Sequence, residues 1–511
     1  MRGCIWRRAA VLPVATLTAL AAAPSASADD PFFTSEPLMI TLTDPSTSDA
    51  LPIISVGDEV GEFFFEGIPD GIGAMPGADG NVEVFVNHEQ STVPFAGFAD
   101  FEMASVSHLT LAPSGGVVEG AVALPDSVSF QRFCSSTMAG PAEGLDGYLY
   151  LTGEEAPDPL PVPEGAPYGP DPAYAPENVR QSGYAVVLDP VTGDFTQVAG
   201  MGRHNHENVM VLPGDWDKIA MISGDDTFSA PSSQLYLYLA ENEEAIWADE
   251  GRLLAFRVTH KNGVRVRAGD AFNGANDYGD ISGDDRLRGR FIRVPRGIAT
   301  GTTALPPQEA LERWSNRHNV FQFIRVEDTA YDPNVGPGEN PVMFVADTGS
   351  SSAVPDPATG RLTSGTGGPY GNGRLFRMEF AKNNPRRVVD FSIVLDGNAA
   401  TNPLAPGPAM KSPDNLGISS SSLMVQEDIS SGTASRILRY DLSTGAWSVV
   451  AMVNTIGWES SGIVDASAFY GPGTWLLDVQ AHTIFVDEED VGDVTLKREG
   501  GQLILLTVDG S

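Results

Sequence analysis

The sequence predicts an all-β fold, a β-propeller with long loop insertions, and three observations point there. Short runs rich in β-branched, aromatic and leucine residues recur throughout, among them NVEVFVNHE, GYLYLTGEE, KIAMISGDD, QLYLYLA, PVMFVADTG and QLILLTVD. Turn residues bound these runs, as strands require, and 55 glycines and 38 prolines supply them. One unit also repeats: strand, Asp-x-x-Thr-Gly turn, strand, clearest in YAVVLDPVTGDFTQVAG and RILRYDLSTGAWSVVAM. Helical patterning is confined to patches such as PPQEALERW from Pro306. Because the repeat period is irregular, a large sandwich or a double β domain is the alternative architecture.

The chain opens MRGCIWRRAAVLPVATLTALAAAPSASADD. Arg2, Arg7 and Arg8 precede an apolar run, and small residues precede a cut after Ala28, so residues 1–28 read as a secretory signal. Export by the general or the twin-arginine route stays open. Residues 29–511 then form one propeller domain. It carries a Pro-rich insertion near 156–180, expected to lie over one face without forming strands, and a mobile Gly-rich loop near 350–374. No later segment is long and apolar enough for a membrane span.

The formal charge is −36, and loss of the three signal arginines makes it more negative still. Such a surface repels nucleic acid and anionic lipid and suits a salty or calcium-rich medium. Of the two cysteines, Cys4 lies in the signal, leaving Cys134 without an internal disulfide partner. Two readings stand for Cys134: a buried small hydrophobe, or a reactive or metal-binding thiol.

The acids fall in a pattern. Strand-like runs end at Glu89, at Glu154 and Glu155, at Asp225 and Asp226, and at Glu427 and Asp428. Strand ends on one side of a propeller share a central funnel, and clustered carboxylates there need cations. Oxygen-rich sites favour calcium and other hard ions. Taken singly, each acid pair also reads as a turn. In GRHNHENV, His204 and His206 share a face opposite Glu207, which fits either a metal or a hydrogen-bonded structural role. Arg325 and Glu327, two apart in FIRVED, share a face and make either an anion site or a local salt bridge. Asp414 and Asn415 precede the strand ending at Glu427, so the three form a possible additional site. Glu459, Asp465, Asp478 and His482 cluster near the C-terminus.

In order, VNHEQS, the Cys134-to-Glu155 stretch, GRHNHENV, SGDD, GRLLAFRV, FIRVED with VMFVADTGS, and SPDNLGISSSSLMVQED resemble the PhoX-type alkaline phosphatases over about residues 80–485. The resemblance implies a six-bladed propeller, a buried iron–calcium cluster with a cysteine thiolate on iron, and hydrolysis of phosphate monoesters outside the cytoplasm. Carried over by position, Cys134 is the iron thiolate. Glu89, Glu154, Glu155, Glu207, Asp225, Asp226 and Glu327 are the carboxylate set, and Arg325 is the catalytic phosphate ligand. The chain departs from the family where RFCSSTMAG replaces its Asn-Cys-Ala-Gly-Gly segment, where Gly153 replaces a cysteine, and where Val326 replaces a proline.

The expectation is therefore a secreted or periplasmic monomer that hydrolyses a small phosphorylated substrate, with iron and calcium as cofactors. It has no nucleic-acid partner. The alternatives are a calcium-dependent propeller esterase or lactonase, and a non-enzymatic calcium-binding extracellular propeller.

Overall fold

In the computed structural model, which describes residues 30–227, 233–266, 277–356 and 361–510, the apolar runs pair into antiparallel four-stranded meanders. The first comprises Pro69–Pro76, Val82–His88, Ser105–Leu111 and Val117–Leu124. The second comprises Thr137–Ala139, Leu149–Gly153, Ala185–Leu188 and Phe195–Gln197. The third runs from His206–Val211 through Ile219–Asp225 and Leu235–Ala240 to Arg252–Lys261. The fourth is Val326–Tyr331, Val342–Asp347, Arg374–Ala381 and Asn384–Asp396. Pro413–Ile418 opens the fifth and Glu459–Asp465 the sixth. The six opening strands touch one another in sequence, and the sixth returns to the first, so the sheets are the blades of a closed six-bladed propeller.

The apolar runs are continuous where a blade is covered on both faces. In LYLTG of the second blade every residue is buried, as is LYLYLA of the third. The core lies between blades. Leu151 and Val187 of the second pack with Val209, Met221 and Tyr238 of the third, and Leu375 of the fourth packs with Leu423 and Leu438 of the fifth. Outer strands such as Val117–Leu124, and the far half of Thr474–Val491, expose much of their length to water.

The ring is closed by the N-terminal residues. Ile40–Leu42 pairs with Trp447–Val453 on the fifth blade, and Ser48–Ser55 supplies the outer strand of the sixth by pairing with Val494–Val508. Between the third and fourth blades, Leu287–Arg293 pairs with both outer strands and fuses them into one sheet. The helix expected at PPQEALERW is Pro307–Arg317, with proline in its first turn where no amide donor is needed. It packs Leu311 and Trp314 onto Tyr236 and Leu253.

The Pro-rich insertion differs from expectation. Pro159–Pro161 pairs with Val179–Gln181 as a two-stranded ribbon. Both strands of such a ribbon are edges, where a missing proline amide costs no ladder bond. The Gly-rich segment also pairs, Ala353–Pro355 with Leu362–Ser364, while residues 357–360 and the segment 1–28 expected to be a secretory signal lie outside the described residues. Among the described residues no helix is long and apolar enough to cross a membrane.

Candidate metal centre

The inner strands share one irregularity. Pairing slips by one residue after Pro69, His206, Val326, Pro413 and Ser460. The second blade does the same between the Phe133–Glu154 bridge and the Thr137–Leu151 pair. A bulge re-aims the side chain that it carries. The residue that follows the last regular pair is Asp70, Cys134, Glu207, Glu327, Asp414 or Ser461, one from each blade. On the neighbouring strand the residue beyond that pair is Glu89, Glu155, Asp226, Thr348, Asp428 or Gln480.

These positions converge on the axis. Potential ligand atoms lie within 4.8 Å of one another in five overlapping groups: Asp70–Glu89–Cys134, Cys134–Glu155–Glu207, Glu155–Asp226–Glu327, Glu207–Glu327–Asp414 and Asp414–Asp428–Glu459. Each group shares a member with another, so nine carboxyls and one thiol form a continuous belt. The sixth blade breaks the acidic pattern with Ser461 and Gln480. Gln480 Nε2 donates to Asp70 Oδ2 at 3.0 Å and to Glu89 Oε2 at 3.2 Å.

Of the residues expected in the site, Glu89, Cys134, Glu155, Glu207, Asp226, Glu327 and Asp414 are brought together. Glu154, Asp225 and Glu427 are not, and strand alternation is the reason. In each doubled acid the second residue faces the axis and the first turns into the blade. Glu154 accepts two hydrogen bonds from the fully buried Arg180, at 2.7 and 2.8 Å. Glu427 is held the same way by Arg436, at 2.6 and 2.7 Å. Asp225 accepts from Thr227 Oγ1 at 3.1 Å and lies 3.9 Å from His204 Nδ1. Sequence reasoning missed Asp70, which lacks a doubled acid. Its available signal was the Pro-acid pair it shares with Pro413-Asp414. Asp428 and Glu459 were visible as acids but not assigned to the set.

Arg325 stands at the head of the fourth inner strand, with its side chain 21% exposed. Its Nε and Nη2 hold Asp226 at 2.9 and 2.5 Å, and Nη2 lies 3.1 Å from Glu327 Oε1. Asn415 acts on the belt at one remove: its Nδ2 donates to Ser135 Oγ, which donates to Glu207 Oε1, both at 2.7 Å. Ser135 and Asn415 also line an axial cavity of about 420 Å³, with Asp328 and Gly462. His204 and His206 do share a face, their rings 3.8 Å apart, but His206 is spent on Ser223 and Gly202. Neither histidine joins a ligand group among the described residues.

Burial, then neighbouring acids, raises the carboxyls of Glu155, Asp414 and Glu459 well above the usual range. Burial and Glu89 raise Asp70 to about 7. Burial foremost, with Asp70 and Glu207 beside it, pushes the Cys134 thiol up. For His482 burial works the other way, but Glu459 and Glu499 push it well up. A belt of this charge density with few cations fits bound metal ions, which would ionise all these groups together. The buried and unpartnered Asp70 Oδ1 fits the same need. Hard oxygens suit calcium, and a lone thiolate among them suits a transition metal.

Two glycines set the spacing. A Cβ on Gly71 would fall 2.3 Å from Ser136 N, so glycine lets the first two inner strands meet below Asp70 and Cys134. A Cβ on Gly153 would fall 2.3 Å from His206 Cβ, so the histidine fills the space that a cysteine there would take.

Comparison with known proteins agrees with this architecture. No curated protein matches the chain in sequence. Pseudomonas fluorescens PhoX, solved in complex with vanadate, a transition state analogue, superposes with a TM-score of 0.60 at 16% identity. The match covers 94% of this chain and 98% of that one. Penicillium chrysogenum alpha-L-arabinanase, solved with arabinobiose, gives a TM-score of 0.39 at 8% identity over 89% of this chain and 98% of its own. The family model described as alkaline phosphatase PhoX matches residues 149–463, more than half of the sequence, and the chain belongs to that family.

Proposed function

We propose that the chain is an exported, metal-dependent phosphohydrolase that cleaves phosphate monoesters with an iron–calcium set bound in the axial belt. The observation that carries this reading is the register: one bulge position per blade delivers Asp70, Cys134, Glu207, Glu327 and Asp414 to the axis. Membership of the alkaline phosphatase family supports the reaction class.

In this reading Cys134 binds iron as a thiolate, and the carboxylates of Glu89, Glu155, Glu207, Asp226, Glu327 and Asp414 divide between iron and calcium. Asp70, Asp428 and Glu459 complete the donor set. The bound ions would neutralise phosphate charge and supply a nucleophilic oxygen at neutral or alkaline pH. Arg325, partly open to solvent and held by Asp226 and Glu327, is pre-aimed to hydrogen-bond phosphoryl oxygens as their charge grows. Ser135 and Asn415 hold Glu207 in one orientation. Glu154 and Glu427, each locked to an arginine, keep their strand ends in register.

The test is elemental analysis of the purified chain alongside hydrolysis of p-nitrophenyl phosphate. Iron with calcium and turnover supports the proposal. Calcium alone, with turnover of carboxylic esters, would point to an esterase instead. Calcium without any turnover would point to a binding module.

A further inference from the structure

The outer strands of the third and fourth blades carry a charge pattern opposite to the rest of the chain. Arg257 lies directly across from Arg290, and Arg290 directly across from Arg387, on three adjacent strands. A second row crosses beside them: Arg288 faces His260, and His260 faces Arg265. All six line one surface concavity of about 800 Å³, and Arg265, Arg288, Arg290 and Arg387 are exposed.

Like charges directly opposite in a sheet destabilise it. In a chain of formal charge −36, acids to relieve them are plentiful, and Arg180, Arg203, Arg325, Arg374 and Arg436 all have carboxylate partners. Among the described residues none of the five arginines in the patch makes an ion pair with a carboxylate, and none has a further partner beyond those given. Arg257 spends one donor on the His318 carbonyl. Protection of a sheet edge does not account for the pattern. Arg252–Lys261, Leu287–Arg293 and Asn384–Asp396 are each paired on both sides.

The register also fixes which end of the blade is involved. Ser223, near the axial end of its strand, faces Tyr236, and Tyr236 faces Ala255. Arg257 and His260 therefore continue past that level, at the end of the blade where the carboxylate belt lies. Guanidinium groups one strand apart, about 5 Å, present repeated two-pronged donors for tetrahedral oxyanions.

We infer that this arginine ladder is a binding site for a linear phosphate-bearing polyanion, separate from the axial centre. The choice of phosphate over sulfate rests on the proposed phosphohydrolase function; the existence of an anion site does not. A second copy of this chain, which would have to bring its own acids to the ladder, is an outcome that the test separates.

The test titrates the metal-loaded full chain into fluorescein-labelled linear polyphosphate and follows fluorescence anisotropy at two salt concentrations. Saturating inorganic phosphate is present to occupy the axial site. The expected result is salt-dependent binding that weakens at least about tenfold in Arg257→Ala/Arg290→Ala/Arg387→Ala. Hydrolysis of p-nitrophenyl phosphate should stay unchanged. Because the substitutions remove like-charge contacts, Tm should hold or rise, and Arg290→Gln alone gives a milder second variant. Equal binding by the triple variant overturns the proposal. So does tighter binding of heparin or duplex DNA than of polyphosphate, or concentration-dependent self-association in place of polyanion binding. Polyphosphate binding without p-nitrophenyl phosphate turnover leaves this site standing and removes the proposed function; the reverse result does the opposite.

Discussion

Cys134 Sγ lies 3.2 Å from Asp70 Oδ2, and the two residues occupy the same bulge position in neighbouring blades. The burial of Asp70 at this position has a consequence for the metal-free chain. Burial, then Glu89, lifts the Asp70 carboxyl from 3.8 to about 7. A group raised on folding stabilises the fold fully below its unfolded pKa, and that stability is lost as pH rises through the folded value. The chelated chain should therefore lose Tm between about pH 4 and pH 8 in calorimetry, and added calcium should flatten the slope. A chelated chain whose Tm stays level or rises over that range contradicts the assignment.

Arg325 is a cation that reaches both the belt and solvent. Arg325→Ala should lower kcat/KM for a phosphomonoester by about 100- to 1,000-fold, the usual cost of one transition-state donor. Arg325→Lys should recover little, since an ammonium cannot reproduce the two-pronged hold on Asp226. Steady-state kinetics with metal content checked in parallel decides this. Full activity in the alanine variant rules out the role.

The doubled acids give an internal control. Glu154→Gln breaks a buried ion pair with Arg180 and should cost about 3–5 kcal/mol of stability. Metal bound per folded chain should not change. Glu155→Gln, one residue on, should lose metal and activity while the metal-free chain holds or gains stability. Denaturation and metal analysis of the two variants separate these outcomes. Metal loss in both alike would contradict the alternation.

Gly153→Cys introduces the cysteine that the sequence resemblance leads one to expect at this position. The Cβ would fall 2.3 Å from that of His206, so the substitution should destabilise by roughly 1–3 kcal/mol and add no metal. Pairing it with His206→Gly should relieve the loss. A stable single variant would show that the blades separate more easily than their packing implies.

The fold class was legible because each blade is short apolar runs between turns, a local signal. The closure by Ile40–Leu42 and Ser48–Ser55 was not, since pairing with strands more than 400 residues away leaves no local trace. The site was partly legible. Glu154-Glu155 and Asp225-Asp226 announced acidic strand ends, but composition alone does not tell which of two adjacent acids faces the axis. Register decides it, and register comes from the bulge. Asp70 hid in PDGIG, which reads as an ordinary turn. The arginine ladder was invisible for the same reason as the closure: Arg257, Arg290 and Arg387 meet only across strands.

The central claim is that one bulge position per blade builds a metal centre with Cys134 as its sulfur donor. Elemental analysis of the wild-type chain and Cys134→Ala, purified side by side, tests it most directly. The account predicts iron and calcium in the wild type. It predicts loss of the iron in the variant, with retained fold and at least about a hundredfold loss of phosphomonoester hydrolysis. A Cys134→Ala chain that keeps its full iron content and activity would contradict it.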